Sequence, residues 1–151
     1  MRVYLARHGN ATTKAEDPAR HLSAAGRDQV RRVAEFLRPR GFRVGAIWHS
    51  TKTRAAETAS ILAPAFAADT LLERDDLAPD DTTDTVCRDI RRADHDLMIV
   101  GHLPHLGYLA AALLTGSEDP QVLTFGEAAV ACLVGDASDW RLAWMISPEM
   151  L

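Results

Sequence analysis

The stretch Val3-Tyr4-Leu5-Ala6-Arg7-His8-Gly9-Asn10 joins a short apolar run to two chemically reactive side chains. Residues 3–6 are typical of a buried β-strand, because the run is short, apolar and followed by a turn residue. The strand therefore delivers Arg7 and His8 into a glycine-containing turn at its carboxyl end. A histidine there can act as a nucleophile or a base, and the adjacent guanidinium can bind an anion through two parallel hydrogen bonds.

Two later segments repeat this arrangement of an apolar run followed by polar residues. Ser50-Thr51-Lys52-Thr53-Arg54 follows an apolar run at 44–48, and Gly101-His102-Leu103-Pro104 follows one at 97–100. Each segment is predicted to open a helix, with Ser50 as the N-cap of one helix and Pro104 in the first turn of the other. Three predicted strand ends therefore supply two arginines and two histidines.

The spacing of apolar residues predicts the remaining elements. Strands are predicted at residues 3–6, 44–48, 70–72, 97–100, 128–134 and 140–146, the last two forming a hairpin around 136–139. Helices are predicted to begin near Ser23, Ser50, Thr82 or Thr83, and Pro104. The alternation of strands and helices indicates a single α/β domain over residues 1–151. We expect a three-layer sandwich with a mostly parallel central sheet and helices on both faces.

The connections of such a fold are expected to bring the reactive side chains together. Right-handed crossovers place the carboxyl ends of parallel strands along one edge of the sheet, where ligands bind. Arg7, His8, Arg54 and His102 are all predicted at that edge. The two guanidinium groups can clamp the oxygens of a phosphoryl group, and His102 can donate a further hydrogen bond. Neutral His8 can then attack the phosphorus, and we expect the neighbouring cations to keep it neutral by lowering its pKa.

Composition limits the classes of protein to which this chain can belong. It has 151 residues, of which 47% are hydrophobic, and a formal net charge of −4, so it is globular in composition and lacks a general basic field for nucleic acid. Its longest apolar stretch, at 106–114, is far shorter than a membrane span, and the four apolar residues before Arg7 are too few for a secretory signal, so neither is expected. We therefore expect a cytoplasmic protein, in which Cys87 and Cys132 are buried thiols.

The three motifs together resemble the signature of the histidine phosphatase superfamily, formerly grouped around phosphoglycerate mutase. The residues that carry the resemblance are Arg7-His8-Gly9, Ser50 to Arg54 with Ala55, Glu57 and Thr58, and Val100-Gly101-His102. Within that superfamily the chain resembles the short bacterial phosphohistidine phosphatase branch. This finer similarity rests on Arg20-His21-Leu22-Ser23 with Gly26, Leu77-Ala78-Pro79, and Gly101-His102-Leu103-Pro104. It extends over nearly the whole chain.

The resemblance implies a phosphoglycerate mutase-like fold and a role for each matched residue. It implies that His8 is the nucleophile that becomes phosphorylated. Arg7, Arg54 and His102 would form the phosphate pocket, and Arg20 would reach that pocket from the first loop. Neither a metal ion nor a cofactor is implied.

Two positions depart from the family pattern. Thr51 stands where family members commonly have proline, and Asn10 stands where this branch often has an acidic residue. We expect the turn at Thr51 to survive, because proline only presets a conformation that other residues can adopt. Asn10 should change contacts behind the site without removing a phosphate ligand.

The sequence does not identify a proton donor for the leaving group. Phosphate-ester members of the superfamily use a carboxylic acid from a loop that corresponds to the region after position 73. In this chain that loop contains Glu73, Asp75, Asp76, Asp80 and Asp81, and no spacing singles one out. A phosphohistidine substrate needs such an acid less, because imidazole leaves more readily than an alkoxide. The pattern therefore favours a phosphoramidate substrate.

Two of the candidate residues also have structural explanations. Arg54 could pair with Glu57 or Thr58 on the helix surface, and a surface role explains Arg20 nearly as well as a phosphate contact. His102 and His105 are three residues apart, which suggests a metal pair. No glutamate in the zinc-protease spacing and no cluster of cysteines or carboxylates accompanies them, so we expect no metal.

For three side chains outside the proposed site, the sequence predicts a position but no role in the chemistry. We expect His105 to point into the mouth of the cleft or to solvent. Trp140 and Trp144 alternate with Leu142, and we expect them to pack on one face of a strand.

The sequence thus predicts a metal-independent phosphatase that forms a covalent phosphohistidine on His8, which water then hydrolyses. The expected substrate is phosphohistidine in a partner protein, because short loops leave little room for a lid over a metabolite. One alternative is a small-molecule phosphomonoesterase of the same superfamily. The other is a noncatalytic phosphate- or phosphoprotein-binding module. The pattern does not predict an oligomeric state.

Overall fold

The computed structural model describes residues 1–151, which form one six-stranded sheet and four α-helices. The strands are β1 (Arg2–Arg7), β2 (Ala46–Ser50), β3 (Thr70–Arg74), β4 (Leu97–Gly101), β5 (Val130–Gly135) and β6 (Trp140–Ile146). The helices are α1 (Ala24–Leu37), α2 (Thr53–Leu62), α3 (Asp84–Arg92) and α4 (His105–Thr115). Short 3-10 turns span Arg38–Arg40, Ala63–Phe66 and Pro148–Met150. Every strand and helix predicted from the sequence is present, with its ends shifted by a few residues.

The order of strands in the sheet brings three strand ends together. The order is β3-β2-β4-β1-β5-β6, in which β1 to β4 are parallel and β5 and β6 are antiparallel. Arg7 at the end of β1 pairs with Gly101 at the end of β4, so these strands finish at the same level. On the other side of β4, His49 of β2 pairs with Val100. The predicted convergence of these three strands, and the mostly parallel sheet, are confirmed.

Helices cover both faces of the sheet, as the sequence predicts. α1 and α2 contribute to a buried cluster on one face that includes Tyr4 and Val30. α3 and α4 contribute to a second cluster on the other face that includes Leu5 and Ile90. Tyr4 and Leu5 are neighbours in β1 and point to opposite clusters, because successive side chains of a strand alternate between faces. No helix combines the length and the apolar character needed to cross a membrane.

The first turn of α1 packs closely against the turn that follows β1. Ser23 caps α1, since its hydroxyl oxygen accepts a hydrogen bond from the Gly26 N–H at 3.0 Å. A Cβ atom at position 26 would overlap the carbonyl of Asn10, and one at position 9 would lie 2.8 Å from the carbonyl oxygen of Gly26. The helix can therefore approach the turn only because both positions are glycine.

One predicted helix start is wrong. Ser50 does not cap α2, because it is the last residue of β2 and the helix begins at Thr53, after Lys52. The Ser50 side chain is fully buried, and its oxygen accepts a hydrogen bond from the Lys52 N–H at 3.2 Å. Thr51 and Lys52 therefore form a turn between β2 and α2, and Ser50 lies buried at the end of the strand before that turn.

The prediction that Trp140 and Trp144 share one face of β6 is also wrong. The register shifts between Cys132 and Leu133 of β5, which places Leu142 opposite Leu133 and Trp144 opposite Cys132 and leaves Ala143 of β6 as the extra residue. Such a bulge interrupts the alternation of side chains along the strand. Trp140 therefore packs with the α3–α4 cluster, and Trp144 packs against the α1–α2 cluster. Cys87 and Cys132 are buried free thiols, as predicted.

Candidate active site

Four residues predicted to form the site lie together near the ends of β1, β2 and β4, and one further residue, Ser50, lies with them. The His8 N–H donates to the carbonyl of Gly101 at 3.1 Å, and the rings of His8 and His102 lie 5.0 Å apart between centroids. Both Arg7 and Arg54 are close enough to His8 for their charges to lower its pKa. Ser50 completes the group, because its hydroxyl contacts His102. Arg7, His8, Ser50, Arg54 and His102 are called the strand-end site below.

The turn after β1 holds the His8 ring in one orientation. Its Nδ1 lies 2.7 Å from the carbonyl oxygen of Gly9. Because a carbonyl only accepts hydrogen bonds, Nδ1 carries the hydrogen, and Nε2 keeps the free lone pair that a nucleophile needs. The Gly9 N–H donates to the Thr58 hydroxyl at 3.1 Å, which in turn donates to the carbonyl of Arg54 at 2.8 Å. α2 therefore fixes the turn that carries His8.

Burial keeps both histidines of the site neutral. Burial in the protein lowers the pKa of His8 to about 4, and the charges of Arg54 and Arg7 act in the same direction. The hydrogen bond to Gly9 and the charge of Glu127 oppose this shift. Burial also lowers the pKa of His102 to about 3. The expected direction for His8 is confirmed, but desolvation has a larger effect than the neighbouring cations, because the ring is buried beneath the turn.

His102 is oriented by the buried serine of β2. Its Nε2 lies 2.8 Å from the Ser50 hydroxyl oxygen, which already accepts from the Lys52 N–H. When the hydroxyl donates its hydrogen to Nε2, neutral His102 carries its own hydrogen on Nδ1. That Nδ1 is buried and has no partner in the protein. Ser50 is a member of the site that the sequence reasoning assigned to a helix cap.

Three of the buried side-chain nitrogens that lack a partner belong to this site. They are Nε of Arg7, Nε of Arg54 and Nδ1 of His102, and only four other buried side-chain atoms of the protein lack a partner. The Arg7 side chain is fixed by a hydrogen bond, in which its Nη1 donates to the carbonyl of Phe125 at 2.9 Å. Buried donors are costly to leave unpaired, so their clustering around His8 makes this a candidate site for an anion.

For both Arg54 and Arg20 the sequence allowed either a role on the surface or a place in the phosphate pocket. Glu57 does not pair with Arg54, because its carboxylate accepts from Arg27 at 2.9 Å and from the Leu22 N–H at 3.0 Å. Burial lowers the pKa of Arg54, and so does the positive charge of Arg20. Arg20 therefore lies near Arg54. It lines the same cavity rather than contacting His8 directly.

The acidic residues at the end of β3 and in the loop after it are engaged elsewhere or lie beside the site. Asp76 forms a two-pronged ion pair with Arg74, at 2.8 and 2.6 Å, which holds the pKa of that carboxyl below its usual range. Asp81 accepts from the Ala78 N–H at 2.8 Å. The remaining carboxylates of this region are Glu73, Asp75 and Asp80, and all three are exposed. None of the five is among the charges that set the pKa of His8.

The carboxylate that does act on His8 is Glu127, which the sequence reasoning missed. Its Oε2 accepts from Nδ2 of Asn10 at 2.9 Å, and the Oδ1 of Asn10 accepts from the Ser23 hydroxyl at 2.6 Å. The neighbouring Ala128 N–H donates to the carbonyl of His8 at 3.1 Å. Asn10 thus links the turn after β1 to an acidic side chain from the loop before β5. Asn10, as a departure from the family pattern, was the only feature of the sequence that pointed to this link.

The expected position of His105 is wrong. The side chain is fully buried in the first turn of α4, and both ring nitrogens lack a hydrogen-bond partner. Burial lowers the pKa of His105, so the ring is neutral. The helix is apolar enough to be buried from its first residue, which the local sequence did not reveal. No group of three or more His, Cys, Asp or Glu side chains is arranged to hold a metal ion.

The fold and the strand-end site define an α/β protein with a buried neutral histidine beside two arginines at the carboxyl ends of parallel strands. Residues 3–78 match the family model of the histidine phosphatase superfamily (branch 1). This match spans half of the chain, and the chain belongs to that superfamily.

Individual relatives extend the similarity over the whole chain. The phosphohistidine phosphatase SixA of Escherichia coli (strain K12) is 26% identical, over 98% of this chain and 94% of that protein. A solved structure of the protein histidine phosphatase SixA complexed with tungstate has a TM-score of 0.86 at 25% identity and covers 99% of both chains. An uncharacterized protein of Picosynechococcus sp. is 33% identical over 77% of this chain and 74% of its own length. These similarities support a phosphatase with the phosphoglycerate mutase-like three-layer fold.

Proposed function

We propose that this protein is a phosphohistidine phosphatase that acts through a covalent phosphohistidine on His8. In the first step Nε2 of His8 attacks phosphorus, the Nε2–P bond forms, and the P–N bond of the substrate breaks. The departing imidazole keeps the electron pair of that bond and takes up a proton. Water then attacks the phosphorus, the Nε2–P bond breaks, and inorganic phosphate leaves.

The observation that carries this proposal is the set of unpaired buried donors around a neutral histidine. Arg7, Arg54 and His102 each have one such nitrogen. Charge on the phosphoryl oxygens grows or spreads in the transition state, so donors that are already in place stabilise it without reorganisation. A pKa of about 4 leaves His8 unprotonated at neutral pH, which an attacking nitrogen requires.

The leaving group determines which substrate suits this site. An alkoxide needs a proton donor, and the carboxylates after β3 are either engaged in other contacts or exposed. Glu127 acts on His8 itself and is held by Asn10. An imidazole leaving group depends less on such an acid. The preferred substrate is therefore a phosphohistidine, carried by a partner protein. We also propose that residues 1–151 act as one domain; the cytoplasmic location remains a prediction from the sequence.

The proposal is tested by comparing kcat/KM for a phosphohistidine peptide with kcat/KM for a panel of phosphate monoesters. We expect the peptide to be preferred, with activity unchanged in excess chelator and inhibited by vanadate. Rapid quenching with radiolabelled phosphohistidine peptide should give a label on the protein that acid removes and alkali does not, and none in His8→Ala. Preference for a monoester would establish a small-molecule phosphatase instead. Tungstate binding without any turnover would establish a binding module.

A further inference from the structure

A cavity beside the strand-end site has four positive side chains and no carboxylate. Its volume is about 470 Å³, and it is lined by Thr13, Lys14, Pro18, Ala19, Arg20, Lys52 and Arg54. The chain carries a formal net charge of −4, so such a local excess of positive charge runs against its overall composition. Lys14, Arg20, Lys52 and Arg54 are called the cationic rim below.

None of these four cations is neutralised within the protein. The ion pairs of the structure join His21 to Asp17, Arg27 to Glu57, Arg43 to Asp69, Arg74 to Asp76 and Asp89, and Arg141 to Asp139. No member of the cationic rim takes part in them. The positive charge of Arg20 lowers the pKa of Arg54, so two of the cations repel each other. Like charges held together without counter-charge favour the binding of an anion.

The loop that carries Lys14 and Arg20 is held together by its own hydrogen bonds. Ala11 and Leu22 form a β-bridge at its base, and the Thr12 N–H donates to the carbonyl of His21 at 2.9 Å. Asp17 turns inward, where its Oδ2 accepts from the His21 N–H at 2.8 Å and from the Thr12 hydroxyl at 3.1 Å. The acidic side chain therefore holds the loop in place and does not face the cavity.

Arg20 itself adopts a backbone conformation that is unfavourable for its residue type. Its φ angle is 51°, in the left-handed region that glycine favours. The Nε–H donates to the carbonyl of Thr12 at 3.0 Å, which fixes the direction of the guanidinium group. Positive φ angles are also found at Ala67 and Ala128, but only at Arg20 is such a backbone combined with a side-chain hydrogen bond that fixes the direction of a charged group. The loop thus directs Arg20 towards Arg54 at a cost in conformational energy.

We propose that the cationic rim binds acidic side chains that flank the phosphohistidine on the partner protein. The inference rests on the proposed function and names the surface chemistry of its substrate. Lys14 and Lys52 are exposed, and they are the only two lysines of the chain. Long, flexible, exposed cations suit the carboxylates of a protein surface, which approach from solvent and are steered by charge.

Two peptides of equal length test this proposal. Both carry one phosphohistidine, which is flanked by glutamates in one peptide and by glutamines in the other. We expect kcat/KM at low salt to be about tenfold higher for the glutamate peptide. This preference should shrink as the salt concentration rises to about 0.3 M, since screening weakens interactions of exposed charges. Lys14→Glu should remove or reverse the preference.

Arg141→Glu is the matched control, because it makes the same charge change on β6, at the opposite edge of the sheet from β3 and β2. This variant should keep the preference of the parent protein. Equal kcat/KM for the two peptides, or a preference that survives Lys14→Glu, would overturn the proposal. A small bisphosphate hydrolysed faster than the glutamate peptide would also overturn it. Failure to hydrolyse either peptide or phosphoramidate would instead reject the proposed function.

Discussion

The strand-end site and the cationic rim share Arg54 but are built in opposite ways. His8 and His102 in the strand-end site are 9% and 2% exposed, and strands and helices hold them on several sides. Lys14 and Lys52 in the cationic rim are exposed and have no ion-pair partner. Buried donors act at short range on the reacting atoms, whereas exposed charges act over about 10 Å and are weakened by salt. The chemistry and the choice of partner can therefore be altered separately.

The largest effect is expected from His8→Ala. No other side chain of the strand-end site offers a free nucleophilic lone pair, so kcat should fall by a factor on the order of a thousand or more. The fold should be retained, because the hydrogen bonds of His8 to Gly101 and Ala128 involve only the backbone. Steady-state assays and thermal unfolding measure both outcomes. Residual activity within about tenfold of the parent would contradict a covalent mechanism.

A smaller loss is expected when one donor of the strand-end site is removed. Arg54→Ala should lower kcat by about 100- to 1,000-fold with a phosphohistidine peptide, as for other preorganised oxyanion donors. Arg54→Lys should recover little of this activity, because lysine cannot present two parallel donors. Arg141→Ala, on the exposed edge strand, should behave like the parent. If Arg54→Lys were fully active, the role of the guanidinium geometry would be disproved.

A displacement of the pH profile is expected from Glu127→Gln. The negative charge of Glu127 raises the pKa of His8, so its removal should lower that pKa further. Activity increases as His8 loses its proton, and the acidic limb of kcat/KM against pH should therefore move to lower pH. Glu149→Gln is the control, since Glu149 lines the same small cavity as Glu127 without acting on His8. A shift in the other direction, or the same shift in both variants, would refute this role.

The smallest effect concerns stability and the backbone of the cationic rim. Arg20→Gly and Arg20→Ala both remove the guanidinium group, but only glycine adopts a positive φ without strain. The glycine variant should be more stable to unfolding than the alanine variant by about 1 kcal/mol. Chemical denaturation of both variants measures this difference. Equal stabilities would show that the left-handed conformation at Arg20 is not strained.

Much of the fold and of the strand-end site could be predicted from local sequence. β1 and β4 are short apolar runs, and their polar residues follow directly at the strand ends, so periodicity and topology were sufficient to place His8 and His102 together. Ser23 was identifiable as a helix cap from its position before an amphipathic stretch. In each case the information lies within a few neighbouring residues, or in the general rule that parallel strands end at one edge.

Contacts between distant parts of the chain could not be predicted in the same way. Glu127 reaches Asn10 from the loop before β5, and no local pattern marks that loop as part of the site. The burial of His105 depends on how α4 packs against α3 and the sheet rather than on its own neighbours. Trp140 and Trp144 were assigned to one face because the bulge at Ala143 within β6 leaves no sign in the sequence alternation of that strand.

Gly26 has no reactive atom, yet it limits what this chain can tolerate. Its lack of a side chain lets the first turn of α1 rest against Asn10, two residues from the proposed nucleophile. A single methyl group there would overlap the Asn10 carbonyl, so we expect the turn that carries His8 to move away from the helix and the proposed attack by Nε2 to be misaligned. A substitution at Gly26 could therefore inactivate the protein, although Gly26 itself takes no part in the transfer of a proton or a phosphoryl group.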